Sequence, residues 1–112
     1  MITALGFLAA AGLGASLRAI AQRQYNALGP MPWGTLAVNV SGSFALGLVS
    51  GLGLAWLTVV GAGGLGAYTT FSSFAIELVR LHRERHRTTA AAYLVVMVVA
   101  CVAAAWLGLE LS

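Results

Sequence analysis

The chain has 112 residues, of which 60% are hydrophobic and 8% charged, with six arginines, three glutamates, no lysine and no aspartate. Soluble domains carry about 25% charged residues, so a water-exposed globule is excluded, and a single domain over residues 1–112 with membrane lipid as its solvent is expected. The net charge of +3 rests on arginine alone, and four of the six (Arg80, Arg83, Arg85, Arg87) fall in one short run without interleaved aromatics. That pattern suits a cytoplasmic loop facing anionic headgroups and not a nucleic-acid surface.

Four apolar stretches follow in order, each near the ~20 residues that cross the hydrocarbon layer. They run from about Ile2 to Gln22, Gly34 to Leu57, Val59 to Leu81 and Thr89 to Leu109. The first shows no basic leader segment and continues into a full span, so no cleavable signal peptide is expected. Its Gly6, Ala10 and Gly14 recur at four-residue spacing, as do Gly47 and Gly51 on the second. Such stripes let helix backbones approach where lipid offers no hydrophobic drive for association. Asn26, Gly29, Pro30 and Pro32 predict a turn between spans one and two. A short junction near Trp56 to Val60 separates spans two and three, and the charged run His82 to Arg87 separates three and four. Trp33, Trp56, Tyr25 and Trp106 sit near span ends, where amphipathic rings favour the interface. With this arrangement both termini share one face. Arg23 and the four loop arginines lie on the other, which puts the first and third loops in the cytoplasm and the termini outside.

Polar groups inside a span are costly and mark function by default. On span two, Thr35, Asn39 and Ser43 are four apart and share one helix face. Asn39 offers two N–H donors; it either serves a ligand or ties two helices together. Span three reads Gly61-Ala62-Gly63-Gly64-Leu65-Gly66-Ala67-Tyr68-Thr69-Thr70, a poor helix that predicts a break in mid-membrane. Freed carbonyls at such a break can hold a cation. Phe71 and Phe74 follow on neighbouring positions of one face, and Glu77 continues the stripe. Arg18, near the end of span one, either snorkels to the interface or forms an ion pair with Glu77. His82, Glu84 and His86 lack the spacing of a helical zinc site. Cys101 has no partner cysteine and reads as a small buried hydrophobe. The spans hold no nucleophile–base pair, acid pair or metal-ligand set, so an enzyme is not expected.

Three segments together resemble the Fluc (CrcB) family of fluoride-specific ion channels. Gly12 to Arg18 is similar to the family's glycine-rich first helix ending in Arg. Gly34-Thr35-Leu36-Ala37-Val38-Asn39-Val40-Ser41-Gly42-Ser43-Phe44 is similar to its GTxxVNxxGSF pattern, and Gly63 to Phe74 to its GxxGGxTTFSTF pattern. The resemblance implies an all-α integral membrane protein of four transmembrane helices with the third broken, assembled as an antiparallel, dual-topology-type dimer. It implies a channel in the plasma (inner) membrane that passively exports F⁻ from the cytoplasm and so gives fluoride resistance. By motif position, Asn39 donates to fluoride and Phe71 and Phe74 form an aromatic box. Thr35, Ser43 and Tyr93 belong to the fluoride pore, and the backbone carbonyls of Gly66 and Thr69 hold a structural Na+ at the dimer interface.

Two departures stand against the family pattern. Span four in the family often carries a Tyr followed by hydroxyl residues at four-residue steps, whereas these positions read Tyr93, Met97 and Cys101. The arginine bias, moreover, predicts a fixed orientation rather than insertion both ways. Homodimer and heterodimer with an oppositely oriented homologue therefore both stand. A chain that is a non-conducting or one-pore partner subunit is the alternative. A small multidrug exporter is a further one, disfavoured because span one has no acidic residue.

Overall fold

A computed structural model describes all residues 1–112 as helices joined by short turns, without strands. Helix α1 (Ile2–Tyr25) ends in a 3-10 turn, Asn26–Leu28, after which Gly29 and the prolines at 30 and 32 redirect the chain. Helix α2 (Trp33–Val49) follows. Helix α3, residues 54–68, opens with the turn Leu54–Trp56, widens into a π-helical segment over Leu57–Leu65, and closes with the turn Gly66–Tyr68. Thr69 and Thr70 are extended, and α4 (Phe71–Arg83) resumes the span. A tight turn at residues 84–86, with Arg85 at φ 64°, leads to α5 (Arg87–Leu111). Three segments, Ile2–Leu28, Leu54–Arg83 and Arg87–Leu111, are long and apolar enough to cross a membrane, and the apolar α2 is shorter at 17 residues.

Three boundaries differ from those expected. The junction between spans two and three lies at residues 50–53, earlier than the expected Trp56 to Val60. Gly51 and Gly53 mark it, but they lie within an unbroken apolar run that hydropathy alone does not divide. The break in span three is narrower than the expected run from Gly61 to Thr70, falling at Thr69 and Thr70, while Gly61, Gly63 and Gly64 remain helical in the π segment and Gly66 in the turn that follows. The charged loop is also shorter than read, because His82 and Arg83 still belong to α4.

Close helix contact explains the small residues. A side chain at Gly14 would collide with the Gly64 carbonyl, so α1 lies directly on the π segment, and the Ala10 methyl also meets Gly64. Where α2 crosses α5, Gly47 and Gly108 face each other. A Cβ on either would strike backbone of the opposite helix. Gly51, by contrast, has open space around it and takes no part in packing. The small core lies between α2, α4 and α5 and holds Leu36, Phe74, Leu81, Ala90, Tyr93 and Met97. Many large apolar side chains, including Leu5, Leu8, Leu13, Val95, Val99 and Val102, point outwards. Apolar exposure on this scale belongs against lipid or another subunit.

Candidate functional site

The break in span three needs partners for the backbone groups it frees. Asn39, one helix away on α2, supplies both. Its Oδ1 accepts the Thr70 N–H at 2.7 Å, and its Nδ2 donates to the Thr70 carbonyl at 2.9 Å. The Thr70 hydroxyl then caps α4 by accepting the Ser73 N–H at 3.1 Å. The second N–H of Asn39 is directed at the Met97 sulfur, 3.6 Å away, a weak acceptor. Of the two readings of Asn39, the interhelical tie is what the structure displays, with one N–H left against a thioether.

Because Thr70 N–H and Ser73 N–H are engaged in this way, they do not close α-helical bonds onto the carbonyls of Gly66 and Thr69. These are the two carbonyls that the resemblance assigns to Na+. Carbonyls without helical donors suit a hard, singly charged ion, so the residues present fit such a group.

The break opens onto a groove of about 750 Å³ lined by Asn39, Ser43, Thr70, Phe71, Met97 and Cys101 among others. Phe71 is 79% exposed and Phe74 is buried, with ring centroids 6.1 Å apart in an edge-to-face arrangement. Phe74 in turn meets Tyr93 edge-to-face at 5.1 Å. The hydroxyls beside the groove are largely spent within their own helices. Ser43 donates to the Asn39 carbonyl at 2.7 Å and Thr69 to the Leu65 carbonyl at 3.0 Å.

Thr35 and Tyr93 belong to a second polar cluster, one built around Glu77. This buried carboxylate accepts from Asn26 Nδ2 at 2.8 Å, from the Thr35 hydroxyl at 3.0 Å and from the Tyr93 hydroxyl at 3.1 Å. Asn26 Oδ1 takes the Thr35 N–H at 3.1 Å, and Gln22 Nε2 donates to the Thr35 hydroxyl at 3.1 Å. Of the two readings of Arg18, the ion pair with Glu77 is not formed. Glu77 draws neutral donors from α2, α5 and the first turn, while the Arg18 Nε is buried without a hydrogen-bond partner. Nothing in the sequence beyond their spacing marks Gln22 and Asn26 as site residues, because a turn-forming Asn at the end of a span carries no sign of what it bonds. Their four-residue spacing was the one available signal.

An all-helical bundle with lipid-facing apolar surfaces and a polar clasp at a broken span defines a multi-pass membrane protein. The chain belongs to the family described as CrcB-like protein, Camphor Resistance (CrcB), which matches residues 5–109. It is 40% identical over 114 residues to the fluoride-specific ion channel FluC 2 of Rhodococcus jostii, covering 100% of this chain and 96% of that protein. The fluoride-specific ion channel FluC of Alteromonas mediterranea is 41% identical over 115 residues, covering 94% of this chain and 91% of its own. FluC 2 of Mycolicibacterium paratuberculosis is 44% identical over 108 residues, with 90% and 86% covered.

Proposed function

We propose that this chain is a subunit of a fluoride-specific ion channel that lets F⁻ leave the cytoplasm passively across the plasma membrane. The observation that carries the reading is the Asn39 carboxamide at the helix break. It faces the groove with one N–H engaged only by a thioether, beside Phe71 and Phe74 in edge-to-face contact. Fluoride is small and strongly hydrated, so a path for it must replace water with N–H and O–H donors. The edge of a phenyl ring is the positive part of its quadrupole and can face an anion. Ser43 serves the same path once its hydroxyl turns away from its own helix.

The open groove and the exposed Phe71 are sides of a path that a second subunit completes in an antiparallel dimer. A structural Na+ held by the Gly66 and Thr69 carbonyls at the dimer interface would tie the two broken helices by neutralising facing dipoles. In this assembly the Glu77 cluster, with Thr35 and Tyr93, is a polar station between the arginine-bearing end and the Phe74 ring.

A heterodimer is the second reading, favoured by one specific observation. All six arginines lie from Arg18 to the end of α1, or from Arg80 to the start of α5, at the same end of the bundle. A chain with that bias inserts one way, and its antiparallel partner is then an oppositely inserted homologue.

Fluoride efflux from liposomes holding this chain alone, with chloride efflux as control, tests both readings. Fast fluoride release without chloride release, abolished in Asn39→Asp, is expected of a homodimeric channel. Release that appears only on adding an oppositely oriented homologue identifies the heterodimer. Chloride release matching fluoride release would sink the fluoride reading.

A further inference from the structure

Helix α2 starts without a cap of its own, because Pro32, the residue before it, has no side-chain acceptor. Asn26 takes that role from the preceding turn. Its Oδ1 accepts the Thr35 N–H at 3.1 Å, one of the donors that the first turn of a helix leaves free. With Oδ1 fixed there, Asn26 Nδ2 faces the Thr35 hydroxyl at 3.2 Å and Glu77 Oε2 at 2.8 Å. Gln22, one turn earlier on α1, donates from Nε2 to the same hydroxyl at 3.1 Å. The close crossing of α1 and α2 holds it there, since a Cβ on Gly34 would meet the Ala21 carbonyl and the Gln22 Cα.

A hydroxyl has two lone pairs and one proton. In the fully buried Thr35, two amide N–H groups occupy both lone pairs, which leaves the proton one direction, towards Glu77 Oε2 at 3.0 Å. Thr35 is thereby a donor and nothing else, the form in which a hydroxyl serves an anion. We propose that Gln22 is a positioning residue for the fluoride path: by filling one lone pair of Thr35, it keeps the Thr35 proton aimed into the polar station around Glu77, where a passing anion accepts it as a hydrogen bond. No covalent bond changes and no proton changes owner. The inference rests on the reading of this chain as a fluoride channel with the Glu77 cluster on its path. The Asn26 carboxamide also caps α2, whereas that of Gln22 bonds Thr35 alone, so Gln22 isolates the effect.

Fluoride efflux from liposomes, with the oppositely oriented homologue added if the chain requires it, tests the role in a double-mutant cycle. Gln22→Met keeps side-chain length and helix preference without the N–H, and a detergent melt at the wild-type midpoint verifies the fold. It is expected to slow efflux about threefold, and Thr35→Val about tenfold, the range that loss of a hydrogen bond spans. Added to Thr35→Val, Gln22→Met is expected to change nothing, since no hydroxyl remains to aim. In Thr35→Ser, which keeps the hydroxyl, the loss from Gln22→Met is expected to return. Thr35→Ala, with room for a water to take the two amide donors, replaces Thr35→Val if the latter melts early. Losses that multiply in the Thr35→Val background would show that Gln22 acts through packing and overturn the proposal, as would a Gln22→Met protein that conducts like wild type. Unchanged efflux in Thr35→Val beside a conducting wild type would take the Glu77 cluster off the path, and the proposal with it. A wild type that releases no fluoride with or without the homologue would instead end the channel reading itself.

Discussion

Asn39 spends its carboxamide twice on Thr70, and that arrangement sets what its replacement costs. In Asn39→Ala, the Thr70 N–H and C=O are both left buried without partners, at ~1–3 kcal/mol for each orphaned group. Asn39→Asp keeps the acceptor for Thr70 N–H but turns the donor into an oxygen facing the Thr70 carbonyl, and adds a buried charge. Both variants are expected to melt earlier in detergent, with Asp losing fluoride efflux altogether. A melt of Asn39→Asp that matches wild type would exclude the clasp. Glu77 allows a graded comparison. Tyr93→Phe removes one of three donors and is expected to cost ~1.5–3 kcal/mol, the range for a hydrogen bond to a charged group. Glu77→Gln puts an NH2 among donors that already point inwards, so at least one loses its acceptor, and its melting midpoint is expected to drop by as much or more. Tryptophan-fluorescence melts order the two variants, and a Glu77→Gln protein as stable as wild type would refute convergence of these donors on a carboxylate. Residue types and their faces were legible in the sequence here, since four-residue spacing put Thr35, Asn39 and Ser43 on one side of α2. The partners were not, because Thr70 lies 31 positions from Asn39 and Glu77 lies 42 from Thr35.

Among elements, α3 departs furthest from regular helix. Glycines at 61, 63 and 64 lie in its π-helical segment, and those at 63 and 64 let Phe7 and Ala10 of α1 approach closely. π-Helical turns tend to occur at functional sites, and this one delivers the chain to the Thr69–Thr70 break. The crossing of α2 and α5 depends on Gly47 and Gly108 in the same way that α1 depends on Gly14. Gly108→Val therefore drives a side chain into the Phe44 carbonyl. Overpacking of this kind costs ~1–3 kcal/mol, and more where backbone must move. Gly51→Val, in open space, is expected to leave stability nearly unchanged. Equal losses at the two positions would contradict the packing described. The sequence showed both glycines of the Gly47–Gly51 stripe as equivalent, because spacing alone does not reveal where a helix ends. Val49 is the last residue of α2, which strands Gly51 in the turn.

At the scale of the molecule, charge is distributed from end to end. The arginine-bearing end holds the first turn and the turn at 84–86, and the opposite end holds the termini and the turn at 50–53. Replacing Arg80, Arg83, Arg85 and Arg87 with Gln removes four of six positive charges from that end. Terminal reporter fusions are expected to report one side of the membrane for the wild type and both sides for this variant, since the Lys/Arg bias sets orientation. Reporters found on both sides for the wild type would end the fixed-orientation reading and favour a homodimer of chains inserted both ways.

Composition and hydropathy by themselves determined that this protein lives in lipid, that its spans are helical and that the third is interrupted, and the resemblance of three segments to known patterns pointed to the CrcB family. These are properties of local sequence, since twenty apolar residues cross a bilayer whatever they pack against. Only the tertiary structure decided that Asn39 clasps Thr70, that Glu77 gathers neutral donors instead of Arg18, and that Met97 and Cys101 line the groove beside Asn39. A buried polar group in a water-poor interior must find a partner. Which partner it finds depends on which helices come together, and spacing along one helix carries no information about that.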